Sequence, residues 1–320
     1  MIFEWCFVVC CGYFLRKVLN YVRVSGSTVL PPRVGRLNPY IRDGRVLVAK
    51  VRSTDIRSGL RSCFEVLGGL SKLIRSGDRV VIKPNVGFAK LDAVTNPAVV
   101  RALIELIKSE VSDVNIVIAE SAVSGLDTSL CFKLCGYHEL AKELGVELID
   151  LKRSGHPIKV STRGGALRSV KVYKEVYDCD VLISVPKLKR HVEATVTISL
   201  KNMMGAIPDS EKSLFHLAGL SSCIADLNTA IRPDLVVIDA TEVMIRHGPQ
   251  HGNLVKANTI FVSGDPVAAD LIAATYLFEL EGCANPLEKA LEVKHIKYAA
   301  ERGVGTCNVD EIEVIDLCLP

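Results

Sequence analysis

The chain has 320 residues, 49% of them hydrophobic and 23% charged, with a net charge of +3. That is long and apolar enough for one large or two modest folded domains. Basic residues are spread along the chain and aromatics make up only 6%, so neither a basic stripe nor a base-stacking platform exists and no nucleic-acid partner is expected.

Residues 2–15 are apolar except for Glu4 and are followed by Arg16, Lys17 and Arg23. The run is short of the ~20 residues a spanning helix needs, and a signal peptide carries its positive charge ahead of the apolar part. Three readings stay open for residues 1–19: a packing helix, an interfacial anchor giving weak membrane contact, or translation begun upstream of the true start. Residues 25–43, with Pro31-Pro32 and many Gly, Ser and Arg, read as a linker. Residues 1–44 are therefore expected outside the domain and 45–320 within it.

The regular part opens with the strand VLVAKV, then a helix over 54–73 and the strand RVVIK ending at Lys83. Thr95 or Asn96 caps a helix to about 109, with Pro97 in its first turn. The strand VNIVIAE ends at Glu120. Asp127 opens a helix that breaks near Gly136 and resumes to Leu144, and VELIDL follows. Residues 157–173 read as a hairpin around Gly164-Gly165. Then come VLISVP, a polar-faced strand over 187–201, a helix over 212–231, the strand DLVVIDA, ANTIFVSG, a helix opened by Asp265-Pro266, a helix over 286–302 and the strand EIEVID. Strands alternating with helices, and apolar runs such as VVI, IVIA and LVVI, predict an α/β fold with a mostly parallel sheet and helices on both faces. A division into two lobes near residue 175 is open.

Eleven cysteines occur, with no C-x-x-C pair and no ferredoxin run. Most sit in apolar segments, as buried thiols of a cytoplasmic protein would. Cys131 and Cys135, four apart, are the pair with helical spacing for a metal or redox role.

The polar strand concentrates the chemistry. From Lys187 to Lys201, odd positions are polar and even ones mostly apolar, so Lys187, Lys189 and His191 share a face with Glu193, Thr195, Thr197, Ser199 and Lys201 if the segment stays extended. A water-facing edge has the same pattern, but the array follows a buried-looking strand, where α/β proteins place their sites. Other strands also end in polar residues: Lys83 and Asn85, Glu120 and Ser121, Asp239 and Glu242, Asp265. Lys83, Lys187, Lys189 and Lys201 near one crevice would repel one another unless an anion joins them, and crowding lowers a lysine pKa toward general-base values. The expected ligand is an anionic small molecule, a carboxylate or phosphate. His191, Lys189 and Lys201 are the catalytic candidates, with His191 transferring a proton; Lys83, Asn85, Lys187, Asn202 and His216 bind substrate.

A divalent metal is the rival use of such residues. Asp239, Asp265 and His247 offer hard ligands for one, with Glu242 nearby, though no spacing among them is diagnostic. His247 and His251 flank a Gly-Pro turn and lack the zincin pattern. Asp265-Pro266 is also a favoured helix start. No phosphate loop, dinucleotide fingerprint or nucleophile elbow is present.

VVIKPN ending at Asn85, TNP at 95–97, DVLISVPKLKRH at 180–191, TISLKNMMG at 197–205, His216, VVIDA at 236–240, HGP at 247–249 and SGDPVAAD at 263–270 together resemble the domain-of-unknown-function family 362. The resemblance covers about residues 45–320 and brings no settled reaction. It implies that Lys83, Asn85, Lys187, Lys189, His191, Lys201, Asn202, His216, Asp239, Gly248, Asp265 and Asp270 hold the family's signature positions. Members often carry or accompany a ferredoxin module; this chain lacks its four-cysteine motif, so no cluster of its own is expected. The leading expectation is an enzyme using Lys/His acid–base chemistry on an anion, metal-assisted or not. The alternatives are a redox accessory to a separate ferredoxin-like iron–sulfur partner and a non-catalytic anion-binding or scaffold protein.

Overall fold

A computed structural model describes residues 28–320, so the readings of residues 1–19 lie outside the described residues. The apolar runs form strands β1 (Ile41–Arg42), β2 (Arg45–Arg52), β3 (Arg79–Pro84), β4 (Asn115–Glu120), β5 (Glu147–Asp150), β6 (Pro157–Ser161), β7 (Ser169–Tyr173), β8 (Val181–Val185), β9 (Lys187–His191), β10 (Thr195–Thr197), β11 (Leu235–Ile245), β12 (Asn253–Ser263) and β13 (Ile312–Cys318). One sheet takes in all but β6 and β7, along the path β1-β2-β12-β11-β8-β3-β4-β5. Strands β11, β8, β3, β4 and β5 are parallel, and β12 runs antiparallel between β11 and β2. Strand β13 joins β2 in parallel, β9 continues beside β11, and β10 folds back on β9.

Period-two alternation sends neighbouring residues of each strand into different cores. Val81, Leu182 and Val236 pack with helices Leu220–Ala230, Pro266–Leu280 and Lys294–Glu301. Val80, Ile82, Val181 and Val237 pack with helices Ile56–Leu67 and Pro97–Glu110 on the other face. Burial on both faces is why these runs carry no polar alternation. Strands from either side of residue 175 lie side by side, β3 against β8, so the sheet does not divide there.

Several boundaries differ from the sequence expectation for local reasons. Asp55 caps the helix Ile56–Leu67, which ends at Gly68 rather than at residue 73. Asn96 caps Pro97–Glu110, accepting from the Ala98 N–H at 3.0 Å. The helix expected over 212–231 is two helices, Asp209–Ala218 and Leu220–Ala230, parted at Gly219, whose φ of 101° interrupts a helix and favours a residue without a side chain. The hairpin β6–β7 forms as expected and stands apart as a two-stranded sheet.

The Pro-rich stretch expected as a linker is packed from residue 30 onward. Leu30 bridges to Val160, Tyr40 is fully buried, and Arg33 is paired with Asp234 at 2.7 Å with both side chains out of solvent. No helix among the described residues is long and apolar enough to cross a membrane.

Candidate functional site

Beyond the carboxyl ends of β3 and β4, the β9–β10 hairpin and the helices Ser199–Asn202 and Asp209–Ala218 enclose a cavity of about 420 Å³. Asn85, Glu120, Ser121, His191, Glu193, Thr197, Lys201, Asn202, Lys212 and His216 line it. This is the crevice at the strand ends where open parallel sheets place their ligands.

Its foundation is a buried ion pair. Lys83 Nζ lies 2.8 Å from Glu120 Oε2 and also donates to the Asn202 side-chain oxygen at 3.2 Å. Glu120 is held in turn by the backbone N–H groups of Val86 and Ser121, at 3.1 and 2.7 Å. Asn202 donates to the Lys83 carbonyl at 3.0 Å and to Ser184 Oγ at 3.1 Å. Asn85 donates to Asn202 at 3.3 Å. Gly205 must be glycine for this arrangement: a Cβ there would lie 1.7 Å from Glu120 Oε1 and 2.5 Å from Lys83 Nζ.

Lys201 comes from a different element than expected. Residues 187–201 are not one strand: the chain turns back after His191, Thr195 sits opposite His191, and Thr197 sits opposite Lys189. The alternation correctly places Lys189 and His191 on a common face, but Lys201 belongs to the helix Ser199–Asn202. That short helix is anchored by Asp270, whose carboxylate accepts the N–H groups of Ser199 and Leu200 at 2.8 and 2.9 Å. Burial pushes Asp270 up to about 8 against the pull of those two bonds. Among the described residues the Lys201 ammonium has no hydrogen-bond or ion-pair partner. Burial lowers its pKa to about 8, Glu193 opposing and Lys212 assisting.

His191 Nδ1 accepts the backbone N–H groups of Glu193 and Ala194, at 3.2 and 3.0 Å, which closes the hairpin tip. Its proton is therefore on Nε2. Burial, with Lys201 and Lys189 next in weight, pushes the imidazole down to about 2. The ring is a neutral hydrogen-bond donor, and this runs against the expectation that it transfers a proton. His216 Nδ1, by contrast, lies 2.7 Å from Glu193 Oε2, both half exposed, which leaves Nε2 free.

The other expected lysines do not line the cavity. Lys187 and Lys189 are 2% exposed, Lys187 lying 4.0 Å from Asp239 and Lys189 donating to the Ala93 carbonyl. Burial, with Lys201 and Lys187 beside it, drives Lys189 well below the usual lysine range. Asp239, Asp265 and His247 are not brought together as a metal site: among the described residues no three His, Cys, Asp or Glu gather to hold an ion. Asp239 accepts from Asn96 N and Thr241, Asp265 caps the helix Pro266–Leu280, and His247 stands exposed on the β11–β12 turn. The Asp239 and Asp265 oxygens already serve backbone and hydroxyl donors.

The described cysteines do not fit an iron–sulfur cluster, which needs gathered thiolates. Cys131 and Cys135 lie one helical turn apart and Cys179 and Cys223 elsewhere, and burial pushes the Cys135, Cys179 and Cys223 thiols up to about 11. Cys6, Cys10 and Cys11 lie outside the described residues.

Two residues of the site went unassigned from sequence. Glu193 fits the polar alternation of one continuous strand, so nothing in its spacing marks the turn where it sits. Lys212 looked like the start of a helix, yet it is 6% exposed and donates to Ser121 O, Ser121 Oγ, Ala122 O and Asp209. Burial lowers it to about 8.

The family model DUF362, "Domain of unknown function", matches residues 80–275. The chain is 28% identical over 259 residues to the thylakoid-associated protein sll1697 of Synechocystis sp., covering 77% of this chain and 78% of that protein. Among solved structures, the lactate racemase apoprotein from Thermoanaerobacterium thermosaccharolyticum superposes with a TM-score of 0.48 at 13% identity over 78% of this chain. A protein from Thermotoga maritima gives 0.45 at 14% over 71%. The chain spans 61% and 58% of those two solved chains.

Proposed function

From this chain's membership of DUF362, a family whose description assigns no activity, we propose that it is an enzyme that binds a small carboxylate or phosphate in the cavity and moves a proton on it. The observation that carries the reading is Lys201: an ammonium without partner, held on an anchored helix, facing a cavity. A part-buried ammonium that makes no hydrogen bond to the protein is satisfied by a charge-assisted hydrogen bond to a bound anion.

Around the anion the residues divide the work. His191, neutral with its proton on Nε2, donates to a substrate oxygen. His216 Nε2 takes the proton, while Glu193 holds the imidazole in the Nδ1–H tautomer and steadies the imidazolium that forms. Lys83, itself paired with Glu120, holds Asn202 in place.

Simple carboxylates and phosphates should raise the thermal unfolding midpoint of the wild-type chain, since a ligand of the folded state stabilises it. Lys201→Met should weaken binding about tenfold to a hundredfold, the worth of one hydrogen bond to a charge. A wild-type protein that responds to no anion overturns the proposal.

A further inference from the structure

We propose that the cavity's ligand is an amphiphile, with an anionic head at Lys201 and an apolar tail leaving along the rim. This rests on the anion-binding reading above and adds the second half of the ligand. The lining offers two kinds of surface. Asn202 and Lys212, both buried and hydrogen-bonded to Lys83 and Ser121, supply polar groups together with Lys201. Carbon surface comes from Met204 and Phe88, 8% and 9% exposed, and from Val123 and Val192, 43% and 87% exposed, which place part of it at the opening.

Leu217, 62% exposed, follows His216 directly. The contact between Glu193 and His216 ties the hairpin tip, and Val192 with it, to that helix at the opening. Isolated exposed apolar residues need no explanation, but Val123 and Val192 line a cavity that also presents an ammonium group. The cavity's volume also exceeds what a bare phosphate or acetate fills: about 420 Å³ falls in the range of sites that enclose a larger organic ligand. An anion without a tail would leave the outer carbon surface in water.

The test is calorimetric titration of the full chain with methyl, butyl and hexyl phosphate, and in parallel with acetate, butyrate and hexanoate, which separates the two head chemistries. In one of the two series, affinity should climb with each methylene toward the about fourfold limit of complete burial. Val192→Ser combined with Val123→Ser should lower the ratio of the longest member's affinity to the shortest's at least threefold. Lys201→Met should lose both short and long members. A flat series in the wild type overturns the amphiphile while leaving anion binding intact. Hexyl phosphate bound equally well by Lys201→Met overturns it too, because the tail would then be adsorbing without the head. No binding of any member overturns the anion reading and this inference with it.

Discussion

Glu193 Oε2 lies 2.7 Å from His216 Nδ1, joining the tip of the β9–β10 hairpin to a helix twenty-three residues further along the chain. Both side chains are about half exposed, and such pairs contribute only about 0–1 kcal/mol to stability. Glu193→Gln should therefore shift the urea midpoint little, while an amide side chain no longer selects one imidazole tautomer. Nitrogen NMR of His216 should show a single Nδ1–H form in the wild type and a mixture in the variant. A mixture already present in the wild type removes the proposed proton acceptor.

Asp270 ties two separate sequence elements together, because its carboxylate holds the helix that carries Lys201 and Asn202. Asp270→Ala should destabilise the fold by about 1–3 kcal/mol for each N–H left without an acceptor. Anion binding should fall with it, as the Lys201 helix loses its anchor. Asp270→Asn, which keeps one acceptor, should be milder on both counts. Denaturant unfolding and titration of the two variants measure this.

Gly205→Ala should cost about as much as breaking a buried ion pair, about 3–5 kcal/mol, because its methyl group would displace Glu120 from Lys83. Lys83→Met, which leaves the Glu120 carboxylate buried and uncompensated, should fall in the same range. If Gly205→Ala unfolds at the wild-type denaturant concentration, the close approach is not structurally required.

The pH dependence of anion binding follows from Lys201. Its pKa is lowered to about 8, so the ammonium is present below that pH and is lost as pH rises through it. Affinity should be high at pH 6–7 and decline above about 8. Lys212, also lowered to about 8, loses its proton over the same range. Lys201→Arg keeps its charge at every accessible pH, so the decline should be shallower and assign the remainder to Lys212. Titrations from pH 6 to 10 separate the two.

The fold was legible wherever one period dominated: continuous apolar runs marked the strands buried on both faces, and Asp55, Asn96 and Asp265 marked helix starts. The site was legible in part. Lys201, His191, Asn85, Asn202 and His216 do line one cavity, but Lys187 and Lys189 face inward, since alternation says which residues share a face and not whether that face meets water. The hairpin turn at Glu193 was hidden because its residues keep the strand's polar alternation. The tethering of Ser199 and Leu200 by Asp270 links residues about seventy apart, a distance no local pattern spans.

The pairing of Arg33 with Asp234 also bears on how much of the chain makes a self-sufficient folding unit. Asp234 is fully shielded, and its oxygens take the N–H groups of Leu182 and Arg36 besides the guanidinium. A fragment beginning at residue 45 would keep every residue of the family match and strand that carboxylate without its counter-charge. A piece that keeps this pair thus begins ahead of Arg33, well upstream of residue 80 where the family match begins.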